Sequence, residues 1–281
     1  MKNTADKLRV IYGDCSLGLK GTSFHYIFSY SKGAPESFRK NGKEWIYRSP
    51  VPAFWRAVTD NDKRNGFTYL SSVWAGADLY RKCVRCEVRI DGEAVEGPGA
   101  PFNNRYSNEE YAGEAEIMYV YETATVPSTL VDVSYRVDPK GKITVHFYYH
   151  GKQGLPQLPL VGLRFIMPTP ASGYEYCGLS GETYPDRMAG GIPGVYQVDG
   201  LPVTPYIVPQ DCQMHMDTRW LRITRNTTLN NADGDTDSFS ICFDGGDAPF
   251  AFSCLPYTAQ QLESAEHQEE LPAPRRTVLL M

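Results

Sequence analysis

Positive charge is in short supply: 28 Lys+Arg stand against 33 Asp+Glu, a formal net charge of −5. No basic run compensates locally, which argues against a nucleic-acid binder and against a polybasic membrane anchor. Long apolar runs are missing too; no stretch approaches the roughly 18 residues of a membrane-spanning helix. Met1–Lys20 contain no apolar core of a secretory leader, so the expected compartment is the cytoplasm. The seven cysteines (15, 83, 86, 177, 212, 242 and 254) are odd in number and scattered, and read as reduced thiols rather than a disulfide framework. No Walker loop, G-x-G-x-x-G, G-x-S-x-G or H-E-x-x-H occurs, which removes the common phosphate, nucleophile-elbow and zinc signatures.

What is present is the material of sheets. Hydrophobic residues make up 42% of 281, enough for a sizeable core, and the aromatic share leans on 19 Tyr, with 25 Gly and 20 Pro for turns. Val84, Cys86, Val88 and Ile90 alternate with Arg85, Glu87 and Arg89. Val131–Val137 and Ile143–Tyr149 alternate on either side of Asp138-Pro-Lys-Gly-Lys142 and read as a hairpin. Further strands are expected at Phe24–Tyr30, Glu116–Glu122, Val161–Met167, Trp220–Arg225, Phe239–Phe243 and Phe250–Leu255. No helix follows each strand, so the pattern predicts an all-β antiparallel sandwich rather than a doubly wound sheet. Thr258-Ala-Gln-Gln261 is a capping box opening a helix that Leu262 and Ala265 continue and Pro272 closes. Ser71–Tyr80 offers another short helix. No repeat or linker divides the chain, and Asp91–Gly99 and Asn230–Asp237 read as surface loops of a single 1–281 domain.

Local chemistry is sparse. Cys83-Val-Arg-Cys86 has metal-clip spacing, but strict alternation puts its thiols on opposite faces of a strand, with no second pair to complete a zinc site. His146 and His150 share a strand face about 13 Å apart, too far for one metal. Asn226-Thr-Thr228 reads as a polar loop. Two segments stand out. In Phe54-Trp-Arg-Ala-Val-Thr-Asp-Asn-Asp62, followed by Lys63-Arg-Asn-Gly66, Arg56 is bracketed by Asp60 and Asp62. That supports either a buried ion-pair network fixing a loop or a polar wall beside Trp55 for a ligand such as a sugar. In Gly178–Arg187, Glu182 and Asp186 flank a Tyr184-Pro turn, with Arg187 available to pair. A retaining glycosidase needs two carboxyls about 5 to 5.5 Å apart, and spacing alone does not establish such a pair in either segment.

These segments carry a resemblance. Phe54–Asp62, Gly181–Arg187, Thr204-Pro-Tyr-Ile-Val-Pro209 and Pro256-Tyr-Thr-Ala-Gln-Gln-Leu262 resemble the C-terminal domain of glycoside hydrolase family 2 β-galactosidases. They are most similar to the separate small subunits of the heterodimeric, lactobacillus-type enzymes. Phe102-Asn-Asn104, Tyr111-Ala-Gly113 and Asn230-Asn-Ala-Asp233 extend the match, which runs from Leu8 to about Leu280. The resemblance implies a large two-sheet antiparallel supersandwich like that of galactose mutarotase. It also implies that the acid/base and nucleophile glutamates, and the Mg and Na ligands, lie in the large subunit. This chain would then hold no catalytic residue, metal or cofactor. Asp60, Asn61, Asp62, Lys63, Arg64, Asn65 and Gly66, supported by Trp55 and Arg56, would form a mobile loop over the galactoside, with Glu182, Tyr184, Asp186 and Arg187 as secondary candidates. The family's sugar-platform tryptophan belongs to a Gly-Gly-x-x-Ser-Trp segment that would follow Met281, so the chain is expected to be truncated before it. Where single-chain relatives continue Gln-Glu-Asn-Gly after the Thr204–Pro209 motif, this chain has Gln210-Asp-Cys-Gln213, and no ligand role is carried to that turn.

The expected function is thus the non-catalytic small subunit of a β-galactosidase, partnered by a large subunit and inactive alone on lactose. Two alternatives share the sandwich: an aldose mutarotase with His146 or His150 as acid and Glu182 or Glu175 as base, and a carbohydrate-binding module.

Overall fold

A computed structural model describes residues 6–104, 110–182, 190–230 and 237–281. It is almost wholly β. The strands run β1 (Leu8–Tyr12), β2 (Ser16–Lys20), β3 (Phe24–Ser29), β4 (Ala34–Lys40), β5 (Lys43–Glu44), β6 (Arg48–Ala53), β7 (Lys82–Ile90), β8 (Glu93–Ala94), β9 (Glu110–Ala112), β10 (Ala115–Glu122), β11 (Leu130–Val137) and β12 (Ile143–Tyr149). They continue as β13 (Gly162–Met167), β14 (Gly173–Leu179), β15 (Pro193–Asp199), β16 (Met214–Thr218), β17 (Trp220–Arg225), β18 (Phe239–Asp244), β19 (Phe250–Leu255) and β20 (Thr277–Leu280). The helices are short: α1 (Asp60–Arg64), α2 (Phe67–Leu70), α3 (Ala100–Asn103) and α4 (Ala259–Ser264). Two compact units result, the first from Met1–Phe54 and Val73–Val161, the second from Trp55–Ser72 and Gly162–Met281.

In the first unit the antiparallel orders are β5-β4-β3-β2-β1-β9 and β12-β11-β10-β7-β8. Phe28 and Phe38 from one sheet lie 5.9 and 6.0 Å, ring to ring, from Tyr135 of the other. The alternation therefore does what it should, sending every second side chain into a shared aromatic core. The expected hairpin forms in register, Val131 opposite Tyr149 and Val137 opposite Ile143. Asp138 caps its turn by accepting the N–H groups of Lys140 and Lys142 at 2.8 and 2.9 Å.

Strand β7 corrects the alternation reading. Arg85 pairs with Val120, but Tyr121 pairs with Cys83, so Val84 is an extra residue bulged out of the ladder and exposed. Past the bulge the side-chain phase flips. Cys83 and Cys86 therefore lie on the same face, opposite Tyr121 and Tyr119, not on opposite ones. Burial, reinforced by Cys83, pushes the Cys86 thiol up to about 12; all seven cysteines are free thiols.

The bulge makes Gly33 obligatory. Its backbone is left-handed (φ +59°), and an added Cβ would lie 2.3 Å from Cys83 Cβ. Its carbonyl accepts the buried Tyr121 hydroxyl at 2.6 Å. Gly33→Ala should therefore cost about 2–4 kcal/mol, steric overlap adding to the φ penalty, as read by urea denaturation of the purified chain.

In the second unit β16, β19, β20 and β13 are neighbours in one sheet, and β15-β14-β17-β18 form the other. Tyr174 and Tyr176 of β14 meet Phe252 of β19 edge-on, at 5.7 and 5.4 Å. The predicted capping box opens α4, Thr258 accepting from the Gln261 N–H while the Gln261 side chain reaches back to the Thr258 N–H. Between Ser71 and Tyr80 the only helical turn is a 3-10 turn, Ser72–Trp74. The regular helices lie just before, in a stretch read from sequence as a loop. Trp74 instead serves the first unit's core, 5.6 Å from Phe54 and 6.2 Å from Tyr149.

Candidate functional site

The site grows from the residues after Trp55. The Trp55 indole N–H donates to Glu263 Oε2 of α4 at 2.7 Å. Ala57 is fully buried in a small core with Cys212, Leu255, Tyr257 and Leu262. Three of the motifs singled out by sequence thus share one apolar anchor, since Val203 and Tyr206, which flank or belong to the Thr204–Pro209 segment, pack on it as well.

On that anchor stands a tight helical start. Thr59 is the N-cap of α1: its hydroxyl accepts the Asp62 N–H at 3.2 Å and Asp62 Oδ2 accepts the Thr59 N–H at 2.9 Å. Aspartate takes the role usual for glutamate in a capping box. Arg56 clamps the same carboxylate in a fork, Nη1 to Oδ2 at 2.5 Å and Nη2 to Oδ1 at 3.0 Å. Burial alone would raise the Asp62 carboxyl, but the hydrogen bonds from Arg56 and Thr59 outweigh it and hold the group below the usual carboxylate range.

Arg56 is therefore not bracketed by two aspartates as the spacing suggested. The Asp60 carboxylate faces solvent and pairs loosely with Lys63 at 3.7 Å, because at the first helical position a side chain points away from the cap. Asn61, Lys63, Arg64 and Asn65 are exposed. Gly66, at φ +69°, breaks α1 from α2, a conformation that proline, confined near −65°, is unable to adopt. Just past Gly66, the Phe67 ring lies under the Arg56 guanidinium at 5.5 Å. Beyond it Tyr69 and Leu70 are 86% and 66% exposed, an unusual offering of apolar surface at a loop tip.

A second set of residues closes on this one from the other end of the chain. Gln210 Oε1 accepts the Asp60 N–H at 2.8 Å. Asp211 is buried, which pushes its carboxyl up to about 7 against the pull of Arg56, with Glu182 and Asp62 adding to the rise. Glu182 Oε2 accepts the Thr204 hydroxyl at 2.6 Å, and Thr204 Oγ1 in turn accepts Gln213 Nε2 at 2.8 Å. Behind it, His215 is 2% exposed. Nδ1 meets the Gly181 carbonyl at 2.9 Å and Nε2 the Tyr174 hydroxyl at 3.0 Å, which assigns the proton to Nδ1 and makes Tyr174 the donor. Burial lowers His215 to about 4, opposed by Gly181 and Glu182.

Arg56 thus grips Asp62 directly and acts on the buried Asp211 by its charge, with Glu182 also acting on Asp211, an arrangement suited to fixing a loop and to receiving hydroxyl donors. Among the described residues no group of three or more His, Cys, Asp or Glu could hold a metal ion. The structure brings Arg56, Asp62 and Glu182 together from the predicted candidates; Tyr184, Asp186 and Arg187 lie outside the described residues. Sequence reasoning missed Gln210, Asp211 and His215. The turn at 210–213 departs from the relatives' pattern, so the resemblance carries no role to it. The available signal was a carboxylate, Asp211, just after the apolar Tyr206–Pro209 run. The two histidines it did weigh lie in the other unit, both exposed, His150 held by Asp132 at 2.9 Å.

Comparison with known proteins gives a consistent picture. The family model "Beta galactosidase small chain" matches residues 20–281. A β-galactosidase small subunit of Latilactobacillus sakei is 57% identical over 99% of this chain and 88% of its own length. A β-galactosidase of Halalkalibacterium halodurans is 32% identical over 99% of this chain but only 25% of its own length. One from Lactobacillus delbrueckii subsp. bulgaricus is 32% identical over 93% of this chain and 23% of its own.

Proposed function

The chain belongs to the β-galactosidase small-chain family, and from that premise we propose that it is the non-catalytic small subunit of a β-galactosidase, completing a large subunit's site for terminal β-D-galactose residues such as that of lactose. The observation that carries this reading is the length of the match: nearly the whole chain corresponds to about a quarter of a β-galactosidase. The catalytic glutamates, with their Mg and Na ligands, belong in this reading to the other three quarters. In this reading the fold is of the galactose-mutarotase-like supersandwich class, and the complex is a cytoplasmic heterodimer or a multiple of it.

Within it the Thr59–Leu70 segment acts as a lid over the galactoside, rigid where Arg56, Asp62 and Thr59 lock its base and presenting Tyr69 and Leu70 at its tip. Glu182 is a secondary candidate for contact with the sugar, as are Tyr184, Asp186 and Arg187 on the resemblance alone. Stand-alone mutarotase chemistry, with His146 or His150 as acid and Glu182 or Glu175 as base, finds less support: His150 is engaged by Asp132 at 2.9 Å, Glu182 by the Thr204 hydroxyl at 2.6 Å and Glu175 by Arg222 at 3.0 Å. The isolated chain should leave o-nitrophenyl galactoside at background, and mixing with the large subunit should restore turnover of order 1 per second or more. Turnover at that rate by the purified chain alone, or faster mutarotation of fresh α-D-galactose, would overturn the reading.

A further inference from the structure

We infer that Arg9, Lys20, His25 and Arg39, lined up across the outer face of the β5-β4-β3-β2-β1-β9 sheet, form a docking strip for an acidic surface of the large subunit. The inference rests on the small-subunit reading above and names a face by which that partner is held.

No basic run in the chain marks this strip, because its members come from four strands and only the register brings them together. Arg9 of β1 is opposite Lys20 of β2, Lys20 is opposite His25 of β3, and His25 is opposite Arg39 of β4. Neighbouring strands lie about 4.8 Å apart, so the four share one line about 15 Å long. Their chain neighbours Val10, Leu19, Tyr26 and Phe38 are buried, which turns the four side chains outward, and Lys20, His25 and Arg39 are exposed.

Like charges directly opposite one another weaken a sheet, and two other sheets show the usual arrangement. Glu116 of β10 stands between Arg89 of β7 and Arg136 of β11. In the second unit Glu175 of β14 is opposite Arg222 of β17 and pairs with it at 3.0 Å. On the β1–β4 face no carboxylate pairs with Lys20, His25 or Arg39 among the described residues; Arg39 Nε donates to the Gly42 carbonyl at 3.2 Å. Glu44, opposite Arg39 at the end of the line, already accepts the Ser37 hydroxyl and the N–H groups of Phe38, Trp45 and Ile46. Burial and the charges of Lys20 and Arg39 hold His25 below its ordinary range, so the fixed charge of the line belongs to Arg9, Lys20 and Arg39.

This line of cations occurs in a chain of net charge −5. It gains most from anions supplied from outside, and its surroundings say of what kind. The next line along the same face is apolar, Ile11 opposite Gly18 and Gly18 opposite Ile27, with both isoleucines half-buried. Tyr111, opposite Arg9 on β9, is 42% exposed. Carboxylates beside apolar surface are what a protein presents, whereas a nucleic-acid backbone presents phosphate without it. In a single-chain relative the matching region is 25% of the whole. A separate small subunit has to hold the remainder through surface contacts, and complementary charge steers and registers such an encounter.

Association of the purified chain with the large subunit, titrated at about 50 and about 300 mM salt, tests this. The wild-type Kd should rise about tenfold with salt. Lys20→Glu with Arg39→Glu should bind about tenfold or more weakly at low salt and respond little to added salt, while kcat of the saturated complex stays at the wild-type value. Lys152→Glu with Arg219→Glu, which changes the same charge at exposed positions elsewhere, should leave Kd within about twofold. Lys20→Glu alone puts an anion between Arg9 and His25, so the isolated chain should melt about 2 °C higher. The variant is then sturdier by itself and weaker in the complex. A double variant that binds as wild type does, a control pair that weakens binding equally, or a Lys20→Glu chain that melts lower would each overturn the inference. So would a wild-type chain that self-associates and is made monomeric by the double variant, since a second copy would then own the strip. In all four cases the small-subunit reading survives; a wild-type chain that fails to bind the large subunit brings down both.

Discussion

Arg56→Ala is expected to lower the stability of the chain by about 2–4 kcal/mol at pH 8, the cost of stripping a half-buried ion pair of its cation. The Arg56 and Asp62 side chains are 21% and 14% exposed, which places the pair between the surface and fully buried cases. Asp62 would keep its Thr59 hydrogen bonds but lose both guanidinium contacts, and Asp211 would lose the charge that partly offsets its burial. Because the Asp62 carboxyl is held below its ordinary range in the native chain, the pair's contribution is present at neutral pH and is lost as pH falls through that range. The deficit of the variant should accordingly shrink in acid, where its carboxyls take up protons. Arg56→Lys, which retains charge without the fork, should recover only part of the loss. Urea denaturation at pH 5 and pH 8 gives the comparison; an Arg56→Ala chain as stable as wild type at pH 8 would show that the pair does not hold this loop.

The second large effect concerns two buried groups whose titrations oppose each other. His215 has a native pKa near 4 against 6.5 for the free side chain. Between those values the unfolded chain binds more protons, so His215 withdraws stability as pH falls from 6.5 to 4, by up to about 3 kcal/mol. Asp211, raised from 3.8 to about 7, does the reverse: the native chain binds more protons across that window, and stability declines as pH rises through it. In wild type the two should nearly cancel between pH 4 and 6.5. His215→Phe keeps the ring stack on Phe252 but strands the Tyr174 hydroxyl and Gly181 carbonyl, costing about 2–4 kcal/mol at pH 7. That deficit should narrow steadily toward pH 4.5, as the remaining Asp211 term favours the folded chain in acid. Asp211→Asn should be more stable than wild type above pH 7, yet lose stability on acidification. Stability of the three proteins at pH 4.5, 5.5, 6.5 and 7.5 reads the tilt; parallel profiles would refute the assignment of both groups.

Much of this protein is written locally. The hairpin of β11 and β12 follows from alternation and a turn whose aspartate caps its own backbone. The α4 capping box needs only Thr258 and Gln261, and β17 and β19 begin and end where their residues change character. The same short-range rules misled at β7, because one bulged residue, Val84, reverses every side chain beyond it and no local preference marks where a partner strand will slip. They also gave Arg56 two aspartates when helix geometry lets only Asp62 turn back toward it.

The sequence by itself therefore determined the class of fold, most of the strands, and the motifs that place the chain in its family. Those signals depend on neighbours two to four residues apart, or on ordered motifs that need no coordinates. Only the tertiary structure decided what the motifs do to one another: that Gln210 holds Asp60, that Asp211 lies in the fields of Arg56 and Glu182, and that His215 fixes Gly181 beside Glu182. These partners are separated by up to 150 residues, and a carboxylate's charge state depends on burial and on the charges around it, neither of which exists until the chain has folded.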